Sequence, residues 1–295
     1  MIKIKVLSLF GGIETGLQAL LELGIPIEEY HSFEILPAAI KVTQKNFPFV
    51  IHHGDVREAD FTRFKGFDLI LAGSPCQNRS RARKEDKSVH SGLKGDKSSL
   101  FWCFAKALEV VKPKWFLLEN VVSEIPDDDQ TITDTVGVKP VMIDSNLFSA
   151  QDRERLYWTN IPIAPLPTSC DTFLGDIMEQ NVAEKYYYNK PYIFNGDDKK
   201  IIATLQVNSM DMSKRVYNRI FKCGTLTCIS GGYQEKKVYD NGRVRKLTEI
   251  EYERLQTLPD NFTGGCGLSY TTRCSLCGNS WTKDVIKHIL SGLPH

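Results

Sequence analysis

Five short apolar runs, each stopped by a glycine or an acid, constrain this chain more than any other feature. Lys3 to Phe10 breaks at Gly11-Gly12, Glu29 to Phe33 ends at Glu34, and Val50 to His52 ends at Gly54-Asp55-Val56. Asp68 to Ala72 breaks into Gly73-Ser74-Pro75-Cys76-Gln77, and Trp115 to Leu118 ends at Glu119-Asn120-Val121. Runs of this length, punctuated by Gly and Pro, read as buried strands. Between them, Thr15–Leu23, Pro37–Phe47 and Ser98–Val111 read as helices; in the last, Leu100, Phe101, Phe104, Leu108 and Val111 fall at helical spacing. Alternating strand and helix implies an α/β fold on a parallel sheet, which binds its ligands beyond the carboxyl ends of its strands.

Every stop is therefore a candidate site position. Gly11-Gly12 forms a strand, glycine turn, helix unit whose first amides are free to meet a ligand. Glu34, about twenty residues past that turn, stands where a nucleotide-type cofactor's ribose hydroxyls find an acceptor, and Asp55 is placed to take an adenine amino group. Cys76 follows a Pro and precedes the basic run Gln77 to Lys84. A thiol in positive potential favours its thiolate and so its nucleophilicity, against the alternative of a small buried hydrophobe. Glu119, directly after four apolar residues, must be either paired or shifted toward the protonated form, as a general acid would be. In Gln151-Asp152-Arg153-Glu154-Arg155, alternation puts Gln151, Arg153 and Arg155 on one face of an extended segment, a guanidinium row that needs an anionic or carbonyl-rich partner.

Beyond residue 160 the alternation fades. Pro162, Pro165 and Pro167 mark a boundary, Thr172–Gln180 reads as helical, and residues 184–242 are polar, aromatic and basic, which suggests a second, smaller unit. Pro126 to Asp134 reads as an irregular acidic stretch. Arg243–Leu258 reads as a charged amphipathic helix with Thr248 and Glu251 as a capping signal, and Val285–Leu290 as a final helix. The net charge of +1 means that a polyanion would be held by local patches rather than a global field. The eight cysteines read as reduced thiols: only Cys274 and Cys277 have ligand spacing, so no metal is expected. No apolar run reaches the roughly 18 residues of a membrane span, and Met1 to Val6 lacks a signal pattern, so a cytoplasmic protein with no membrane partner is expected.

Taken in order, Leu9-Phe10-Gly11-Gly12, Glu34, Gly54-Asp55-Val56, Gly73 to Gln77, Glu119-Asn120-Val121, Gln151 to Arg155, Arg245 to Pro259 and Gly278-Asn279-Ser280 resemble the (cytosine-5) DNA methyltransferase family along nearly the whole chain, in a bacterial or phage form closest to the de novo methylation branch. The resemblance implies an S-adenosylmethionine-dependent methyltransferase sheet over residues 1–183. It further implies a target-recognition domain over 184–264 and a return to the catalytic domain over 265–295. It implies S-adenosyl-L-methionine as cofactor, lying against Phe10, Gly11, Gly12, Ile13, Thr15, Glu34, Ile35, Asp55, Val56, Gly73, Pro75, Leu100, Asn279, Ser280 and Trp281. Cys76 would be the nucleophile, Glu119 the acid at the base's N3, and Arg155 with Arg153 its supports. Gln77, Arg79, Ser80, Arg81, Arg83, Thr225 and Leu226 would touch double-stranded DNA from which the target cytosine has been flipped. A monomer is expected, with room for a cognate restriction endonuclease. The rivals are an RNA cytosine methyltransferase of the same fold and a catalytically silent DNA-binding homologue. One departure stands out: after Gly11-Gly12 comes Ile13-Glu14-Thr15-Gly16 in place of the usual third glycine pattern.

Overall fold

The structure is a computed structural model that describes residues 3–73, 99–123 and 126–294. The chain divides into two units, each assembled from separated stretches. The first takes residues up to 143, 154–165 and the chain from 286 onward; the second takes 144–153 and 166–285.

The first unit is built on strands β1 (Ile4–Leu9), β2 (Ile27–Phe33), β3 (Ile51–His52), β4 (Leu69–Gly73), β5 (Trp115–Asn120), β6 (Val141–Asp144) and β7 (Glu154–Thr159), in the sheet order β3-β2-β1-β4-β5-β7-β6. Pairings from β3 through β5 are parallel and β7 runs antiparallel to β5. Helices α1 (Thr15–Glu22), α2 (Pro37–Asn46), α3 (Ser99–Val111) and α4 (Pro126–Val136) belong to this unit. The five sequence runs become β1 to β5, each within a few residues of its expected bounds. Apolar residues on both faces are buried, as in a sheet covered on both sides: Val6, Leu69, Leu71 and Leu117 on one, and Leu7, Leu9, Ile70, Ala72 and Leu118 on the other. One core cluster joins them to Phe101, Phe104 and Val111 of α3 and to Phe33, Phe61, Phe64 and Phe67. The acidic stretch expected to be irregular is α4: Pro126 opens the helix, and Asp127, Asp128 and Asp129 lie in its first turn, where the helix dipole favours acids.

The second unit carries the five-stranded sheet β12-β11-β10-β9-β8, from β8 (Tyr192–Phe194), β9 (Ile201–Leu205), β10 (Arg215–Tyr217), β11 (Lys237–Asp240) and β12 (Arg243–Lys246). It also holds the single helical turn α5 (Asp211–Lys214) and helices α6 (Glu249–Leu255) and α7 (Tyr270–Asn279). Two expectations fail here. Arg243–Leu258 is not one helix: Arg243–Lys246 pairs antiparallel with β11, and the helix starts only after Thr248, whose hydroxyl accepts from the Glu251 N–H while the Glu251 carboxylate accepts from the Thr248 N–H. Thr172–Gln180 yields only a 3-10 turn at Leu174–Ile177. The boundaries also differ from those expected at 184 and 265, because Leu174, Ile177, Met178, Cys223, Leu226, Leu255, Cys274 and Cys277 share one core. Burial pushes both α7 thiols, Cys274 and Cys277, above their ordinary range. Helix α8 (Lys283–Leu290) brings the chain back to the first unit, where Lys287 pairs with Glu22 at 3.1 Å. No described helix is long and apolar enough to cross a membrane.

Candidate active site

The carboxyl ends of β1, β2 and β3 carry the expected cofactor positions. Three residues of the turn after β1 hold left-handed backbone: Phe10 at φ 59°, Gly12 at 57° and Glu14 at 57°. For non-glycine residues this costs about 1–3 kcal/mol each, a strain that concentrates at functional sites. Glu34 holds the turn in place. One carboxylate oxygen accepts the Gly12 N–H at 2.8 Å, while the other accepts the Ile35 and Leu36 N–H groups, each at 2.8 Å. A carboxylate has about four acceptor positions, so Glu34 keeps acceptor capacity for a further donor.

Beneath the turn lies a residue whose role sequence reading did not find. Glu14, buried, accepts hydrogen bonds from Ser8 Oγ (2.9 Å), Tyr30 Oη (2.6 Å) and Ser32 Oγ (2.5 Å). Burial raises its carboxyl above the ordinary range while the three hydroxyls pull the other way. This explains the departure in the motif: Glu14 adopts the glycine-like backbone and ties the turn to β1 and β2. It also fixes Gly11, since a Cβ there would lie 1.8 Å from Glu14 Oε1, an oxygen of a carboxylate that three hydroxyls hold between them.

Further polar and apolar groups lie near the carboxyl ends of the same strands. The hydroxyl of Thr15, in the first turn of α1, is buried with no partner among the described residues. Both ring nitrogens of His52 are likewise buried and unpartnered, and burial lowers its pKa so that the neutral ring is favoured. A histidine before Gly54 gave no sequence signal of this. Asp55 caps the 3-10 turn Val56–Glu58 and takes the Arg57 guanidinium on both oxygens, which holds its carboxyl below the usual range. Ile35, 60% exposed, presents an apolar face immediately after Glu34, while Ile13 and Val56 are buried and Leu100 packs on the core.

At the middle of the sheet the acid expected to be either paired or protonated proves to be paired. Glu119, buried near the end of β5, meets Arg155 Nε of β7 at 2.9 Å. It stands opposite Tyr157 on one side and Gly73 on the other. Gly73 is the last described residue before Cys76. The expected site residues Pro75, Cys76, Gln77, Arg79, Ser80, Arg81 and Arg83 lie outside the described residues.

Arg153 does not join Arg155. It belongs to the second unit, where its buried guanidinium donates to the carbonyls of Leu226 (3.0 Å), Gly278 (3.1 Å) and Ser280 (3.0 Å). Gln151 is also buried there, bonded to Leu226 N, Leu255 O and Gln256 Oε1. The guanidinium row is split because the segment through Arg153 leaves the sheet and only Glu154–Thr159 forms β7. The carbonyl-rich partner foreseen for such a row exists for Arg153, and the anionic one for Arg155. Leu226 is a core residue, and Thr225, half-buried, donates through Oγ1 to Asp152 O at 2.7 Å. Ser280 is buried with its hydroxyl on Cys277 O, Asn279 accepts from Cys228 Sγ, and Trp281 is half-buried, all within the second unit.

The profile of C-5 cytosine-specific DNA methylases matches residues 4–295. The Type II methyltransferase M.NgoBV of Neisseria gonorrhoeae is 34% identical over 139 residues, which are 46% of this chain and 32% of that protein. The chain thus spans about a third of the length of that curated relative. The Type II methyltransferase M1.ScrFI of Lactococcus lactis subsp. cremoris is 28% identical over 290 residues, covering 88% of this chain and 70% of its own. The solved structure of the Entamoeba histolytica methyltransferase EhMeth superimposes with a TM-score of 0.74 at 16% identity, covering 99% of this chain and 98% of that one, and so shares the fold. With the profile matched from end to end, and the acids at the strand ends standing where the motifs place them, the chain belongs to the C-5 cytosine-specific DNA methylase family.

Proposed function

We propose that this chain transfers a methyl group from S-adenosyl-L-methionine to carbon 5 of a flipped-out cytosine in double-stranded DNA, through a covalent bond to Cys76. The observation that carries the reading is the Glu119–Arg155 pair beside Gly73. It is a buried acid with a fixed guanidinium, and Cys76 is tethered to its neighbour by three residues, at most about 11 Å of chain.

The cofactor would be held by the strained turn Phe10 to Glu14, by Glu34 on the ribose, by Asp55 and Val56 at the adenine, by Ile35 and Leu100 along its sides, and by the unpartnered Thr15 hydroxyl. When bound there it supplies an electrophilic methyl group on a sulfonium. Cytosine carbon 5 is a poor nucleophile, so the chain's own groups must activate it. The Cys76 thiolate forms a bond to carbon 6 and sends the ring's electron pair toward carbon 5, while Glu119 gives a proton to N3 and Arg155 holds O2. Carbon 5 would take the methyl group; a solvent base would then remove the carbon 5 proton, the freed electron pair would expel the Cys76 thiolate from carbon 6, and N3 would return its proton to Glu119, restoring the ring. Arg153 acts in this scheme as a positioning residue for the backbone of Leu226, Gly278 and Ser280. The recognition of DNA as substrate, and of Arg79, Ser80, Arg81 and Arg83 as phosphate and gap-filling contacts, follows the family resemblance.

DNA carrying 5-fluorocytosine tests the reading, because fluorine cannot leave carbon 5 as the proton does. The purified chain with S-adenosylmethionine should form a denaturant-resistant adduct that Cys76→Ser abolishes. An adduct that survives the substitution, or none with the wild type, would refute the role of Cys76.

A further inference from the structure

On the face of the first sheet opposite to Glu14, β2 carries ionisable side chains that the proposed reaction does not use. His31 and Phe33 point away from Tyr30 and Ser32, as alternation along a strand requires. His31 Nδ1 lies 2.7 Å from Nε2 of His53, the residue that follows β3, and His31 Nε2 lies 3.2 Å from a carboxylate oxygen of Glu29. Phenylalanine rings wall in the pair. Phe33 stacks on His53 with centroids 5.1 Å apart, Phe64 meets His53 and His31 edge-on at 5.4 and 5.5 Å, and Phe67 meets His31 at 5.2 Å.

A hydrogen bond between two imidazoles needs one N–H and one lone pair. Two neutral rings supply them, and so does a pair with one extra proton, in which the charged ring donates. With two extra protons, N–H faces N–H and attraction turns to repulsion. The Glu29 carboxylate, paired with Lys5 at 2.5 Å, can only accept, so His31 Nε2 donates to it and the first proton belongs on His31. The second must enter His53. There burial, and then the charges of His31, Arg63 and His52, lower the pKa below its ordinary value. The pair also stands at the root of both turns assigned to the cofactor. The His53 N–H bonds Ser32 O at 2.9 Å, and the next residues are Gly54, left-handed at φ 80°, and Asp55. Phe33, stacked on the His53 ring, offers its carbonyl to the N–H groups of Phe10 (2.9 Å) and Gly11 (3.4 Å), where the glycine turn begins.

We infer that His31 and His53 are a proton-sensitive pair of positioning residues: with at most one extra proton between them they hold the Gly54–Asp55 and Phe10–Gly11 turns in the shape that binds the cofactor, and a second proton parts the rings and releases both turns. This rests on the proposed function, which assigns those turns to S-adenosylmethionine. Binding then requires the doubly charged pair to shed a proton. Affinity is therefore constant above the ordinary histidine range and falls as pH drops below it.

Calorimetry of S-adenosylmethionine binding from pH 7 to pH 5 tests the pair, in a window where the amino and carboxyl groups of the cofactor keep their charges. Wild-type affinity should fall by about three- to thirtyfold, since a site that must lose one proton to bind loses at most about tenfold per pH unit. His53→Phe keeps a ring against Phe33 but takes no proton, and its affinity should change by less than about twofold over the same window. His31→Asn presents an amide that can turn its oxygen to a charged His53 or its NH2 group to a neutral one, and its profile should be as flat. Circular dichroism reports folding, and His31→Asn carries the test if His53→Phe unfolds. A wild type that binds equally well at both ends of the window, or folded variants that lose affinity in parallel with it, overturns the pair's role and leaves the proposed function standing. A folded wild type that binds no S-adenosylmethionine at pH 7 overturns the cofactor assignment and the pair's role with it.

Discussion

The two units bury charge in opposite ways. In the first, the buried ions at the strand ends are acids: Glu14, Glu34 and Glu119. Glu34 is held by backbone amides and keeps acceptor capacity for a ligand, while Glu119 meets Arg155. In the second, buried cations stand beside the buried acids Asp240, Glu251 and Glu253 and serve as internal ties. Arg153 holds three carbonyls and Lys237 three more, while Arg245, fully buried, grips Glu251 with two hydrogen bonds of 2.8 Å and Asp240 with one of 2.7 Å. A sheet satisfies its own backbone and can spend its charges on chemistry. A unit with short strands and long loops needs charges as internal fasteners.

The contrast breaks most visibly at Glu119. Glu119→Gln should reduce turnover by about 10²- to 10⁴-fold with cofactor affinity by calorimetry nearly unchanged, since in the proposed reaction the acid would act on the base and not on the cofactor. Loss of both together would place Glu119 among the fasteners.

Arg245→Met should do the reverse. Leaving Glu251 and Asp240 buried beside a neutral side chain removes about 3–5 kcal/mol of stability, read as a lower denaturation midpoint. Cofactor affinity of whatever protein remains folded should be unaffected. A midpoint unchanged from wild type would mean that the buried cation is not what holds β12 against α6.

The smallest effect belongs to Glu14. The folded chain holds its proton to higher pH than the unfolded chain does. Its contribution is therefore fully present below the unfolded value of 4.5 and is lost as pH rises through the raised folded value. Glu14→Gln should gain in melting temperature relative to wild type as pH climbs through that range. A constant difference across pH would show that the carboxyl is not the titrating group.

Much of the first unit was legible because strand runs bounded by Gly, Glu and Asp carry their period and their punctuation locally. The positions of Glu34, Asp55 and Glu119 were legible for the same reason, as each stands at or near the carboxyl end of a strand. Arg153 was not, because alternation in sequence assumes that the strand continues, and whether it does depends on contacts with residues 226, 278 and 280. Arg243–Lys246 read as helix because charged residues suit either element, and only the partner strand β11 decides. Glu14 and His52 escaped because their roles lie in what surrounds them after folding. Cys274 and Cys277, whose spacing resembles that of metal ligands, lie one turn apart on the buried face of α7.

The chain's division also bears on how the protein is made. The polypeptide enters the second unit at residue 144, returns for β7, leaves again at 166 and comes back for good at 286. Ile286, Ile289 and Leu290 are fully buried. A nascent chain emerging from the ribosome therefore cannot finish its first unit until the second has been synthesised. Folding strictly in order of synthesis, the usual protection of multidomain chains, is closed to it, so a helper that shields the incomplete first unit during translation would raise the yield more than one acting after release.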